Sequence, residues 1–162
     1  MGSVVKNKEA VRKAALQSIA KLERRFATNV EALIEEVDEH IKSLTPVYTG
    51  QAVRNYIWTT ESPFTGVYDA IDNGPTGATN SMPLGMEPRR AVNESAAAES
   101  LAALSFANPF QAYYLTNNSP DIVGLELGVL PGPPLSSRSP NGMFKLVQTY
   151  VSAKIGSKGI LT

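Results

Sequence analysis

The feature that most constrains this chain is a stripe of apolar residues, Ile19, Leu22, Phe26, Val30, Leu33, Val37, Ile41 and Leu44, spaced by threes and fours. Such spacing places all eight on one narrow face of an α-helix, and it predicts a helix over residues 8–44. Charges fill the other faces. Lysines and arginines at 6, 8, 12, 13, 21, 24, 25 and 42 nearly balance acids at 9, 23, 31, 35, 36, 38 and 39, as on a solvated surface. Unbroken, the helix is about 55 Å long at 1.5 Å per residue. Thr28-Asn29-Val30-Glu31 has the form of a capping box, so a kink or a split into two helices near Thr28 is the alternative. Burying eight such side chains contributes roughly 12 to 24 kcal/mol before entropy, and the stripe must therefore face something. The expected cover is a small sheet of the same subunit. Any length that overhangs the sheet packs on a neighbouring subunit, and a coiled coil of about four heptads is the competing arrangement.

The rest of the composition fits one globular domain. A chain of 162 residues with 43% hydrophobic and 19% charged residues needs no covalent staple to fold. Its formal net charge is zero, which argues against a surface built to displace counterions from phosphates. The chain has no cysteine, so disulfides and thiolate metal sites are excluded. Residues 1–6 lack the apolar core of a signal peptide and the hydroxyl that a myristoylation signal requires. No window of about 18 apolar residues occurs. The expectation is a protein made in the cytoplasm with no membrane span.

After the helix, Pro46 lacks an amide hydrogen and stops it, and Gly50 supplies the backbone freedom of a reversal. Residues 53–60, with Tyr56, Ile57 and Trp58, read as a strand. Residues 64–71 read as a second strand, closed by Asp72-Asn73-Gly74-Pro75. Residues 76–88 hold two prolines and two glycines with little periodicity and are expected to be a long loop. Residues 93–104 are an alanine-rich helix, and 110–116 a strand. Ser119 and Pro120 are placed as N-cap and first residue of a short helix, 120–127, that Gly128 ends. A proline-rich loop spans 129–140, and a final helix spans 142–156. The expected fold class is α+β: a long N-terminal amphipathic helix packed on a small, mostly antiparallel sheet, with short helices and long loops.

Parts for catalysis are scarce. The single histidine, His40, lies on the charged side of the helix, and no serine stands in a recognisable nucleophile setting. Glu35, Glu36, Asp38 and Glu39 suggest a solubilising face answered by Lys42 rather than a cation site. Gly124, Gly128 and Gly132 flank a proline-rich loop, not the strand-to-helix turn of a phosphate cradle. Arg89-Arg90 is a short basic pair after a loop. No enzyme activity, cofactor or metal is expected.

Two blocks carry a resemblance. The first is Pro46-Val47-Tyr48-Thr49-Gly50 with Arg54, followed by Tyr56 and Trp58. The second is Tyr113-Tyr114-Leu115-Thr116-Asn117-Asn118-Ser119-Pro120, then Leu125-Glu126-Leu127-Gly128, then Pro140-Asn141-Gly142-Met143. In this order and spacing they resemble the neck and tail-completion proteins of tailed bacteriophages, over residues 8–156. The chain departs from the family's pattern at Tyr48, where Asp is usual, at Asp121-Ile122, where Tyr-Ala is usual, and in the many prolines of 129–139.

The resemblance implies a structural virion protein of the head-tail joint, a neck or tail-completion ring that connects the portal and adaptor complex to the tail tube. Its implied partners are copies of itself in a ring, usually a hexamer, with portal, adaptor or stopper proteins on one side and the tail tube protein on the other. Genomic DNA passes through the lumen without sequence-specific binding. The implied location is the virion, after assembly in the host cytoplasm. Pro46, Thr49, Gly50, Arg54, Trp58, Asn117, Asn118, Pro120, Glu126, Gly128, Pro140, Gly142 and Met143 then have architectural roles. Arg54 is expected to meet an acidic group such as Glu126, in the same subunit or the next. The candidate partner-contact loops hold Thr76, Leu84, Met86, Arg89 and Arg90 in the first, and Leu130, Pro133, Leu135 and Arg138 in the second. A helical coiled-coil interaction module without a virion role is the alternative.

Overall fold

Helix α1 runs without a break from Gly2 to Leu44, about 65 Å at 1.5 Å per residue. The split near Thr28 does not occur: Thr28 is an exposed residue in mid-helix. The reason lies in the stripe, which continues through Phe26 and Val30 without a change of face. Its steps are four, four and three, so the pattern repeats every eleven residues, as Val11, Leu22, Leu33 and Leu44 do. An eleven-residue repeat averages about 3.67 residues per turn, close to that of an undistorted helix. The stripe therefore stays nearly parallel to the axis along the whole helix.

The computed structural model describes residues 2–47, 50–71, 87–108, 110–129 and 142–158. After α1 come α2 (Gln51–Arg54), β1 (Ile57–Thr59), α3 (Glu87–Ala102), β2 (Tyr114–Thr116), α4 (Ile122–Glu126) and α5 (Met143–Lys158). The two strands form one antiparallel pair, with Ile57 opposite Thr116, Trp58 opposite Leu115 and Thr59 opposite Tyr114. The α+β class with a long N-terminal helix on a small antiparallel sheet is as expected.

Element boundaries differ from the sequence reading. Residues 51–54 are a helical turn rather than the start of a strand, because Gly50 at φ +89° reverses the chain and α2 begins at once. A Cβ at Gly50 would also lie 2.4 Å from the Asn93 amide nitrogen, so no side chain fits there. Residues 64–71 form no strand. They are held by side chains: Asn55 donates to the Tyr68 carbonyl and accepts from its amide, and Asn93 does the same for Ile71. Helix α3 begins at Glu87, with Pro88 in its first turn, where the missing amide hydrogen does no harm. Helix α5 continues past Gly156 to Lys158.

The core lies where the C-terminal half of α1 meets β1, α4 and α5. Ile34, Val37, Ile41, Tyr56, Trp58, Leu125, Met143 and Val147 pack as one cluster. Polar groups buried in it are satisfied in pairs. The Asp38 carboxylate accepts from Lys42 Nζ at 2.7 Å and from Trp58 Nε1 at 2.9 Å. The Tyr56 hydroxyl is 2.8 Å from Thr45 Oγ1. Burial pushes the Tyr56 phenol far above its ordinary range, outweighing the opposing effect of the Thr45 hydrogen bond.

Lys42 and Asp38 are both buried, at 6% exposure each. Removing one partner of a buried ion pair leaves the other charge without compensation, a loss of about 3–5 kcal/mol. Lys42→Ala should lower the urea midpoint accordingly, while Lys8→Ala, on the exposed part of the same helix, should leave it unchanged.

Candidate interaction surface

The two blocks singled out in the sequence, some sixty residues apart, are brought together around α2 and the sheet. Pro46 is buried directly after α1. Trp58 is on β1 and its backbone amide donates to Ser100 Oγ. Asn117 Nδ2 donates to the Ala52 carbonyl at 2.7 Å, and Asn118 Nδ2 reaches the carbonyls of Phe64 and Gly66. Met143 is fully buried, with its sulfur 3.5 Å from the Tyr56 hydroxyl. Thr49 and Pro140 lie outside the described residues.

Glu126 has a defined task. Its carboxylate accepts from the backbone amides of Met143, Phe144 and Lys145 at 2.7, 2.9 and 3.1 Å, so it caps the N-terminus of α5 and offsets the positive end of the helix dipole. Gly142, at φ +81°, lets the chain pass close to it, since a Cβ there would sit 2.5 Å from the carboxylate. Gly128 does end α4: at φ +70°, its amide reaches the Leu125 carbonyl and the Val129 amide that of Gly124, the Schellman pattern. The start of α4 differs from expectation. Asp121 is the N-cap, whereas Ser119 N–H donates to Asn117 Oδ1 and Pro120 lies before the helix. Asn117 thus makes the turn that Ser119 was expected to begin.

Arg54 and Glu126 have different surroundings. Arg54 is the last residue of α2, with its guanidinium 5.4 Å from the centre of the Tyr68 ring and its Nε buried without a hydrogen-bond partner. Arg90 was assigned to a partner-contact loop, but it lies in α3 and is buried. It donates to the carbonyls of Lys42 and Thr45 at 2.9 and 2.6 Å and pairs with Glu94. Arg90 therefore caps the C-terminus of α1, where carbonyls have no partner within the helix. The sequence signal was available in the i,i+4 pair with Glu94 and in the need of a long helix for a C-terminal cation. Arg89 is on α3. Thr76, Leu84, Met86, Leu130, Pro133, Leu135 and Arg138 lie outside the described residues. His40 packs its ring against Tyr150, while Glu36 is bound by Tyr150 and Lys154.

Among the described residues no reactive groups converge; the main unexplained feature is a surface. From Asn7 to Arg25 every residue of α1 except Ala20 is exposed. The apolar stripe nevertheless continues into this arm. Val11, Leu16, Ile19 and Leu22 are between 52% and 63% exposed, whereas Val37 and Ile41 on the same stripe are buried. Cover by the rest of the chain thins out at Phe26, whose ring stacks on Phe110 at 5.4 Å. Charge divides at the same place. The arm carries Lys8, Arg12, Lys13, Lys21, Arg24 and Arg25 against Glu9 and Glu23, and the C-terminal half carries five acids against Lys42. The balance seen over the whole helix conceals a cationic arm. An exposed apolar face of this kind on a charged helix is the candidate interaction surface.

No family model, curated protein or solved structure matches the chain, so the reading of this surface rests on its own geometry.

Two substitutions separate fold from surface. In dilute solution Ile19→Asp should change unfolding free energy by less than about 0.5 kcal/mol, whereas Ile41→Ala, two repeats further along the same stripe, should cost about 2–5 kcal/mol. Glu126→Ala should destabilise the chain by about 1–2 kcal/mol through the lost cap. Denaturant titration of each variant measures both.

Proposed function

We propose that this chain is a structural subunit of the bacteriophage head-tail joint, a neck or tail-completion protein whose activity is assembly into a ring between the portal and adaptor complex and the tail tube. The observation that carries assembly is the arm of α1, nineteen residues long from Asn7 to Arg25, whose apolar stripe has no cover among the described residues of its own chain. The resemblance supplies the setting. It is supported by the way its two blocks pack on one another, through Asn117 on the Ala52 carbonyl and Met143 on Tyr56, and by the contact of Glu126 with the start of α5 within the second block. Residues that recur together in a family for an architectural reason are expected to meet in this manner.

A ring subunit needs no pocket and no cofactor. It needs a rigid body, a surface that recognises the next copy and a lumen that does not grip DNA. A neutral chain suits the last requirement. Hexameric closure, contacts to portal, adaptor or stopper proteins above and to tail tube protein below, and a virion location belong to the same proposal. A free-standing coiled coil fits less well. Val37 and Ile41 face the chain's own core, and an eleven-residue repeat lacks the left-handed supercoil that heptads impose.

Sedimentation and negative-stain imaging of the purified chain test this reading. Ring-shaped particles that co-sediment with tail tube or neck proteins are expected. A strict monomer at high concentration that binds neither would overturn it. Val37→Asp adds the contrast with a coiled coil: it should unfold the subunit, not merely dissociate it.

A further inference from the structure

Among the described residues the cationic arm has a counterpart, a second bare apolar surface on a different element. Val123, Leu127 and Val129, on α4 and just past it, are 61% to 71% exposed. Residues 119–129 contain Asp121 and Glu126 and no lysine or arginine, and Asp121 is exposed. The other exposed large apolar residues among those described lack this combination. Phe110 is stacked on Phe26, Val67 lies beside Tyr68, which is stacked on Phe64 beneath Arg54, and Ile155 stands alone beside Lys154.

The two surfaces complement each other in charge as well as in polarity. One repeat of eleven before Ile19, the face of the stripe carries Lys8 in place of an apolar residue, and Arg12 lies one turn further on. A cation on an otherwise apolar face is suited to a partner that is apolar with an acid at its edge, as 121–129 is. Two arms laid against each other would instead bring two cationic segments together. Nucleic acid would neutralise the arm but leave Ile19 and Leu22 bare.

We propose that the α1 arm of one copy seats its apolar stripe on the Val123, Leu127 and Val129 patch of a second copy, with Lys8 and Arg12 beside that copy's Asp121. This rests on the ring reading above and names its interface. Because the two patches differ, the contact is head-to-tail. Each subunit keeps one free arm and one free patch until a ring closes.

The absence of cysteine gives a direct test with no background. The full chain carrying Ile19→Cys and Leu127→Cys is oxidised gently and run on a denaturing gel without reductant. A ladder of covalent multimers ending at the ring is expected, with each single variant remaining mostly monomeric. Asp121→Lys should weaken assembly of the unlinked protein, and adding Lys8→Glu and Arg12→Glu to that variant should restore it. Dimers from Ile19→Cys alone would overturn the proposal in favour of paired arms. Rings in the wild type but no ladder in the double variant would overturn this interface and leave the ring reading standing. A wild type that never assembles removes both. Duplex DNA retention that is lost in Lys8→Glu/Arg12→Glu, with assembly unchanged, would assign the arm to nucleic acid and also overturn the proposal.

Discussion

The Asp38 carboxylate, buried between α1 and β1, is the interaction on which the rest of this structure depends. It binds Lys42 one turn along its own helix and the Trp58 indole across the interface. A long helix with a uniform apolar stripe can slide or rotate against a small sheet at little loss, because one methyl group replaces another. A buried charge with two directional partners cannot, since displacement would leave it unpaired. Asp38 therefore fixes the position of α1 against the strand, and with it the length of helix left projecting. Arg90 fixes the same end from the other side by binding the carbonyls of Lys42 and Thr45.

A few asparagines do for the irregular parts what these ion pairs do for α1. Asn55 and Asn93 each grip one backbone unit of 64–71 through both donor and acceptor, and Asn117 and Asn118 hold the end of β2 to α2 and to the same segment. The sheet has only three residues in each strand, too short to be stable alone. Its stability comes from α3, which packs on β1, from the core it shares with α1 and α5, and from these side-chain ties. Glycines at 50 and 142 permit the close approaches that the ties require.

This explains what could be read from the sequence. The long helix, its stripe, the stop at Pro46, the reversal at Gly50 and the termination at Gly128 follow from periodicity and backbone freedom, which are local properties. The strand expected at 53–60 exists only over Ile57–Thr59, because aromatic and β-branched residues there serve burial against α1 and not a long ladder. Residues 64–71 form no strand for the opposite reason: their backbone bonds are made by asparagines distant in sequence, which leave no periodic trace. Arg90 looked like a surface residue because its partners, two helix-terminal carbonyls, have no side-chain signature. For the interaction surface, the sequence displayed the stripe and its possible overhang, whereas only the fold determines which half is covered.

That division of one stripe between two duties has a physical consequence. If the whole stripe were covered within the chain, no surface would remain for a neighbour; if none were, the subunit would not fold alone. With Val37 and Ile41 inside and Ile19 and Leu22 outside, folding draws on one part of the helix and the proposed association would draw on another, so each could proceed without the other. Helical rigidity then couples them, because an unbroken helix transmits the position set by Asp38 to an arm about 25 to 30 Å long at 1.5 Å per residue. In the assembly proposed above, the cations on the arm would keep two bare apolar faces of like charge apart, so that association would wait for a surface of opposite charge.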